Sequence, residues 1–502
     1  MKGETVASRY RPRPMATASA PAAAPSATTR VPLVQRLLPA AATVVGVAVL
    51  LRLVYDQYLN YDARYALLWA RDLARGLKPD YEADFAPTPH PLETAVSVLA
   101  VPFGDGADTL LVWLILLCFG LLVWLTYRLG EELFSPWVGV VAALVVLTRP
   151  ALERDALLGY QDTAFAVLIV GAVLLEAQRP RRGGAVLALL AVAGLMRPEA
   201  WVLGGLYWLY LWPVSDTARR VRLAGVVALA PVLWAALDWY VTGDPLHSLH
   251  GTADLAEAVD RRRSPEQAPY WTLQYFGYVL REPVVIGFPI GIWFAWRHRL
   301  HAAVLPLAVA AAMTAVFMIG PVFGLPLIGR YVRTPSVFLA LFYGLAVCGW
   351  LLLEPGRARR IWKWVGIGTA ALSIAFIPWH VGMLGDMRDN LDERARGYER
   401  LREIARAPGV AATVERCGER VTAAEHRAMP HLRWWLDTPP FSLSTVEADA
   451  SPLQRVLVTP RDTRAMRRFY RDQFPAVRPP SSFERMARNG AWRVDAAADC
   501  AG

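Results

Sequence analysis

Tyr55-Asp56-Gln57-Tyr58-Leu59-Asn60-Tyr61-Asp62-Ala63-Arg64-Tyr65, running on to Pro87-Thr88-Pro89-His90-Pro91, follows the first of many apolar stretches in a chain of 502 residues. A carboxylate, clustered aromatics and a polar loop directly beyond a hydrophobic span put reactive side chains at a membrane boundary. Tyr61, Tyr65, Leu68, Trp69 and Leu73 recur at helical spacing, with Arg64, Arg71, Asp72 and Arg75 on the other face. Gly76 and Pro79 supply the stop. The pattern predicts an amphipathic helix lying on the membrane surface, its charges in water. Pro91-Leu92 marks the start of a second surface helix.

The rest of the chain has the composition of a membrane protein. Hydrophobic residues make up 55% and charged residues 19%, against about 25% charged in a typical soluble domain. Apolar stretches fall at roughly 37–55, 109–127, 136–148, 162–178, 185–196, 200–213, 223–241, 284–296, 302–320, 336–353 and 361–379. About 20 apolar residues cross a bilayer as a helix. The fold predicted is mainly α: a polytopic membrane helix bundle of about eleven spans.

Arginine clusters set the orientation. Arg9, Arg11, Arg13, Arg30 and Arg36 precede the first span, and Arg179/Arg181/Arg182, Arg219/Arg220/Arg222, Arg297/Arg299 and Arg357/Arg359/Arg360 recur on the same side. That side is cytoplasmic. The net charge of +10 belongs to these membrane-flanking residues and does not call for nucleic acid. The expected organisation is a disordered basic cytoplasmic tail (1–36), a membrane module (37–379) with extracytoplasmic loops 56–108 and 242–283, and an extracytoplasmic α/β domain (380–502). The chain is expected in the plasma (inner) membrane. In the tail, 388–407 reads as a charged helix, 455–459 and 491–494 as strands, and Asp462 or Thr463 as the cap of a helix through Gln473. Cys118 and Cys348 lie in apolar spans, whereas Cys417 and Cys500 lie in the tail, where an oxidising compartment favours their pairing.

Asp62 is the leading candidate for chemistry, since a carboxylate at the boundary can take a proton from a substrate hydroxyl. Solvated charges are the default for Asp72 and Asp80. Arg330 and Arg333, in Gly329-Arg330-Tyr331-Val332-Arg333, sit at the outer mouth of a late span, and Arg149 and Arg154 flank Glu153 between two others. Arginine grips phosphate through a bidentate fork. Arg197 and Glu199 read as a structural contact, Asp162 as a helix cap or a group facing a cavity. His90 is presented by a stiff Pro-rich segment. No zinc spacing, phosphate-cradling loop or nucleophile elbow occurs.

In the order of these features the chain resembles the GT-C superfamily of integral membrane glycosyltransferases. The likeness rests on Tyr61-Asp62-Ala63-Arg64-Tyr65, the surface helix after it, Asp162 in the second loop, and Arg330-Tyr331 near a late span. It implies an inverting transfer of a sugar from a polyprenyl-phosphate carrier to an extracytoplasmic glycan, lipid or protein acceptor. Asp62 would be the general base and Arg330, Arg333, Arg149 and Arg154 would hold the donor phosphate. His90, Asp162, Tyr65 and Tyr331 would support the site or the acceptor. Neither a metal nor a nucleotide cofactor is needed. No tight Asp-Asp or Asp-Glu pair stands in the first loop, which leaves the partner of Asp62 unassigned. The other readings are a transporter or flippase of a lipid-linked sugar, which shares the arginines but needs no base, and a non-catalytic envelope scaffold.

Overall fold

The structure is a computed structural model that describes residues 33–448, 453–461 and 477–501. Of the expected disordered tail (1–36), residues 1–32 lie outside the described residues and 33–36 already belong to the first helix; the expected helix ending at Gln473 lies outside the described residues. The helices are α1 (Leu33–Val54), α2 (Tyr61–Ala74), α3 (Pro91–Ala100), α4 (Ala107–Leu133), α5 (Pro136–Leu147), α6 (Pro150–Leu157), α7 (Asp162–Gln178), α8 (Gly184–Gly194), α9 (Glu199–Leu211), α10 (Thr217–Thr242), α11 (His247–Ala258), α12 (Ala268–Leu280), α13 (Val284–Arg297), α14 (Val304–Ile319), α15 (Arg333–Cys348), α16 (Arg357–Ala375), α17 (Ile377–Ala405), α18 (Val410–Arg416) and α19 (Met429–Leu436).

Each of the eleven apolar stretches is helical, and the chain is a multi-pass membrane protein. Among the described residues, 5 helical stretches are long and apolar enough to cross a bilayer alone, or up to 8 if each of 3 bent helix pairs counts as one span. The stretches that fall short are α7, α8 and α9, at 17, 11 and 13 residues. The pairs α5–α6 and α12–α13 bend by 60° and 104°. These breaks bring polar backbone and arginine side chains to one end of the bundle, where protein rather than lipid surrounds them.

Helix α15 is the centre of the bundle and is buried almost from end to end. Glycines let its neighbours approach. A Cβ on Gly291 of α13 would collide with the backbone of Phe342 in α15, and one on Gly344 of α15 would meet the Val138 carbonyl oxygen of α5 at 2.6 Å. Without a hydrophobic force between helices in lipid, such close van der Waals packing holds a bundle together.

After α16 the chain bends by 44° into α17, a 29-residue helix that leads straight into the tail domain. Its sheet comprises β1 (Val421–Ala423), β2 (Leu443–Thr445), β3 (Val456–Pro460), β4 (Phe483–Arg488) and β5 (Trp492–Ala497). The spatial order is β2-β1-β3-β5-β4, parallel among the first three and antiparallel at β3-β5-β4. Val421, Val456, Val458, Trp492 and Val494 form its core with Leu401 and Ile404 of α17. Cys417 and Cys500 are joined by a disulfide, closing the tail on itself.

The tail overturns one sequence expectation. Helix α2 does not lie on the membrane with its charges in water. Arg64, Arg71 and Asp72 are as buried as Trp69, because α19 of the tail covers that face. Arg433 of α19 reaches Asp72 at 2.7 Å and Asp80 at 2.8 Å. Arg71 in turn reaches Asp437 at 2.8 Å and the Thr438 carbonyl at 3.2 Å. Asp72 and Asp80 are therefore not solvated charges. Their counter-charge comes from some 360 positions away in sequence, beyond what helical periodicity can reveal.

Candidate active site

Asn60 decides where α2 begins. Its Oδ1 accepts from the backbone N of Asp62 at 2.8 Å and of Ala63 at 3.2 Å, satisfying donors that a helix start leaves open. Its Nδ2 donates to the Leu158 carbonyl at 2.8 Å, which ties the helix start to the turn between α6 and α7. Asp62 thus stands in the first turn of α2, where the helix dipole favours a carboxylate. It pairs with Arg330, and the two side chains keep 19% and 22% exposure, enough to meet a ligand. Burial pushes the Asp62 carboxyl up, but the Arg330 guanidinium, with Arg261 and His90 behind it, prevails and holds it below its usual value.

A ring of polar groups surrounds this pair. His90 occupies the N-terminal position before α3 without a side-chain capping bond; burial and the charge of Arg330 push its imidazole down to about 3, so it is neutral at pH 7. Its Nδ1 is buried without a hydrogen-bond partner among the described residues, and its ring meets Trp234 edge-on at 5.6 Å. Glu93, one turn into α3, lies within electrostatic reach of Asp62, Asp162 and Arg330. It forms no ion pair among the described residues. Arg197 is clamped between Asp162 and Glu199 and lies over the Tyr331 ring at 4.4 Å. Arg330 itself lies 5.6 Å from the Tyr160 ring centre.

The second long loop closes another side. Thr252 of α11 meets Thr88, and the Arg262 carbonyl accepts from Leu327 N at 2.8 Å. Between them Arg261 lies within electrostatic reach of Asp62, Arg330, Tyr331 and Tyr61, and burial together with Arg330 lowers its pKa. Its backbone N donates to the Ala256 carbonyl at 2.8 Å, but its guanidinium makes no ion pair or hydrogen bond among the described residues. A half-buried guanidinium beside a second one, with no acid of its own, is a standing demand for an anion.

The sequence candidates therefore divide. Asp62, Arg330, His90, Asp162 and Tyr331 converge. Tyr65 lies behind them, buried in an aromatic ladder with Tyr61 at 5.0 Å and Trp69 at 5.3 Å. Arg154 borders the site through the Tyr160 side chain. Arg333 is paired with buried Asp155. Arg149 donates to the Leu280 carbonyl at 2.6 Å and to Thr148 at 3.1 Å. Two residues escaped the sequence reading. Glu93 stands in the first turn of α3 as Asp62 does in α2, and that parallel was the available signal. Arg261 belongs to Arg261-Arg262-Arg263, a basic run on the side where basic residues are rare.

No protein-family model and no curated protein matches the chain. The architecture does have counterparts among solved structures, and the chain shares the fold of two of them. ArnT from Cupriavidus metallidurans, solved bound to undecaprenyl phosphate, matches over 92% of this chain and 98% of its own, with a TM-score of 0.56 and 17% identity. The archaeal oligosaccharyltransferase AglB from Archaeoglobus fulgidus, in complex with an inhibitory peptide and a dolichol-phosphate, matches over 85% of this chain and 70% of its own, with a TM-score of 0.51 and 11% identity.

Proposed function

We propose that this protein transfers a sugar from a polyprenyl-phosphate carrier to a hydroxyl acceptor on the extracytoplasmic side of the plasma membrane, with inversion at the sugar carbon. The observation that carries the reading is Asp62 paired with Arg330, with a second guanidinium that has no acid of its own, Arg261, within electrostatic reach. The fold shared with ArnT, which was solved with undecaprenyl phosphate, supports the choice of carrier.

The donor phosphate settles between Arg330 and Arg261 and competes with Asp62 for Arg330. Losing that partner removes the largest influence holding the Asp62 carboxyl down, so burial raises its affinity for a proton. Asp62 then removes the proton from the acceptor hydroxyl as the acceptor oxygen bonds to the anomeric carbon. The bond from that carbon to the phosphate oxygen breaks, and polyprenyl phosphate leaves with the electron pair. Its charge is taken up by the arginines, so no proton is needed on the leaving group. Neutral His90 and unpaired Glu93 line the same space and orient the sugar hydroxyls.

The test is transfer from a panel of radiolabelled polyprenyl-phosphate sugars by the purified protein, with Asp62→Asn alongside. Removing a general base lowers turnover by about 10²–10⁴-fold, with the fold retained. Donor binding without transfer by the wild type would reject the enzymatic reading in favour of a carrier of lipid-linked sugar.

A further inference from the structure

The tail brings to the start of α2, against Tyr61, a pair of side chains that sugar transfer leaves unused. His426, after β1, pairs through Nδ1 with Glu447, after β2, and its backbone N donates to the same carboxylate at 3.0 Å. Two bonds from one residue to one carboxylate fix the ring and place its proton on Nδ1. Nε2 is left without a partner among the described residues, yet it is not a buried atom. The ring is held as well as aimed. Phe85 stacks on it at 5.0 Å and Tyr61 meets it edge-on at 5.6 Å. Phe85 holds this position with φ at +57°, a conformation that residues with a Cβ rarely adopt. Its carbonyl accepts from the Tyr61 hydroxyl at 2.6 Å. Tyr61 immediately precedes Asp62 in the first turn of α2, so its ring contact with His426 places the pair beside the start of that helix.

We infer that His426 and Glu447, with Phe85 and Tyr61, form a hydroxyl-binding subsite for the acceptor glycan and determine which acceptor is used. An aromatic wall beside one oriented polar atom suits a sugar ring: its C–H face packs on the aromatics and one hydroxyl reaches Nε2. The name acceptor rests on the transfer reading; the binding of a glycan does not.

The full-length protein in nanodiscs is titrated with methyl glycosides of common hexoses and pentoses, binding being read by saturation-transfer NMR. The same preparations are assayed for transfer from polyprenyl-phosphate sugars to the glycoside that binds best. His426→Gln, melting as the wild type does, is expected to weaken that binding about tenfold or more and to raise the acceptor KM with the donor KM unchanged. Glu447→Gln keeps an oxygen for Nδ1 and is expected to do the same to a smaller extent. Unchanged glycoside affinity in His426→Gln, or no glycoside binding by the wild type, overturns the subsite. Binding that depends on His426 in a wild type that transfers nothing upholds the subsite and overturns the transfer reading instead.

Discussion

Replacing Arg433 by Met should undock the tail from α2. The guanidinium is almost wholly buried and satisfies two carboxylates, Asp72 and Asp80, through contacts of 2.7–2.8 Å, and Nε donates to the Pro439 carbonyl at 3.1 Å. The three bonds to carboxylates, at about 1.5–3 kcal/mol each, would total about 4.5–9 kcal/mol. Part of that is offset, because Asp80 also accepts from Trp69 and the Phe441 backbone, and Asp72 keeps the charges of Arg71 and Arg75 nearby. The net loss expected is about 3–5 kcal/mol, the range for stranding a buried charge. Asp62 lies ten residues, or about 15 Å, up the helix from Asp72. A tilt of about 10° at that end moves Asp62 by about 2.6 Å, and even 1 Å can cost about 10²-fold in rate. Turnover should therefore fall with stability. The assay is thermal unfolding and limited proteolysis of the full chain in detergent, with transfer measured in parallel. Adding Asp72→Asn and Asp80→Asn to Arg433→Met removes the stranded charges and should recover most of the stability. A loss below about 1 kcal/mol, or a triple variant no better than the single one, would refute the buried-latch reasoning.

Other outcomes follow from the same site. Asp62 is held below its usual carboxylate range in the free protein, so kcat/KM for the donor should stay flat from pH 7 down to about 4 and fall only below it. Donor phosphate takes Arg330 away and raises Asp62, so the acid limb of kcat should lie at higher pH; coincident limbs would reject the competition. The stability from the Asp62–Arg330 pair has the matching sign: present above the ordinary carboxylate pKa, lost as pH falls through the lowered one. Arg261→Gln should raise the donor KM by about 10–100-fold with little change in melting temperature, and Arg261→Lys should restore part of the difference. Cys417→Ser should cost the tail about 4 kcal/mol, because the bridge spans 83 positions; proteolysis with and without reductant measures it.

What the sequence disclosed was local. The helix from Tyr61 was legible because its aromatics repeat at helical spacing, and its end because Gly76 and Pro79 follow. The strands at Val456 and Trp492 were legible as short apolar runs. Pairings across the chain were not. Arg433 carries no mark that it will meet Asp72 and Asp80, and the charged face of α2 was read as wet because solvent is the default partner of a charge. Arg333 and Arg330 look alike in sequence, three positions apart and each beside an aromatic or apolar residue. Only the path of α6 decides that Asp155 takes one while Asp62 takes the other.

The unbroken course of α17 fixes more than the tail's location. A helix turns by 100° and advances 1.5 Å with each residue. One residue gained or lost between the bundle and the sheet would swing α19 a little over a quarter of the way round, carrying Arg433 off Asp72 and Asp80. Seven residues added would restore its azimuth to within about 20° but lift it by about 10.5 Å. The helix acts as a ruler, and the spacing from Ile377 to the tail is as firmly prescribed by geometry as the identities of the reacting residues are by chemistry.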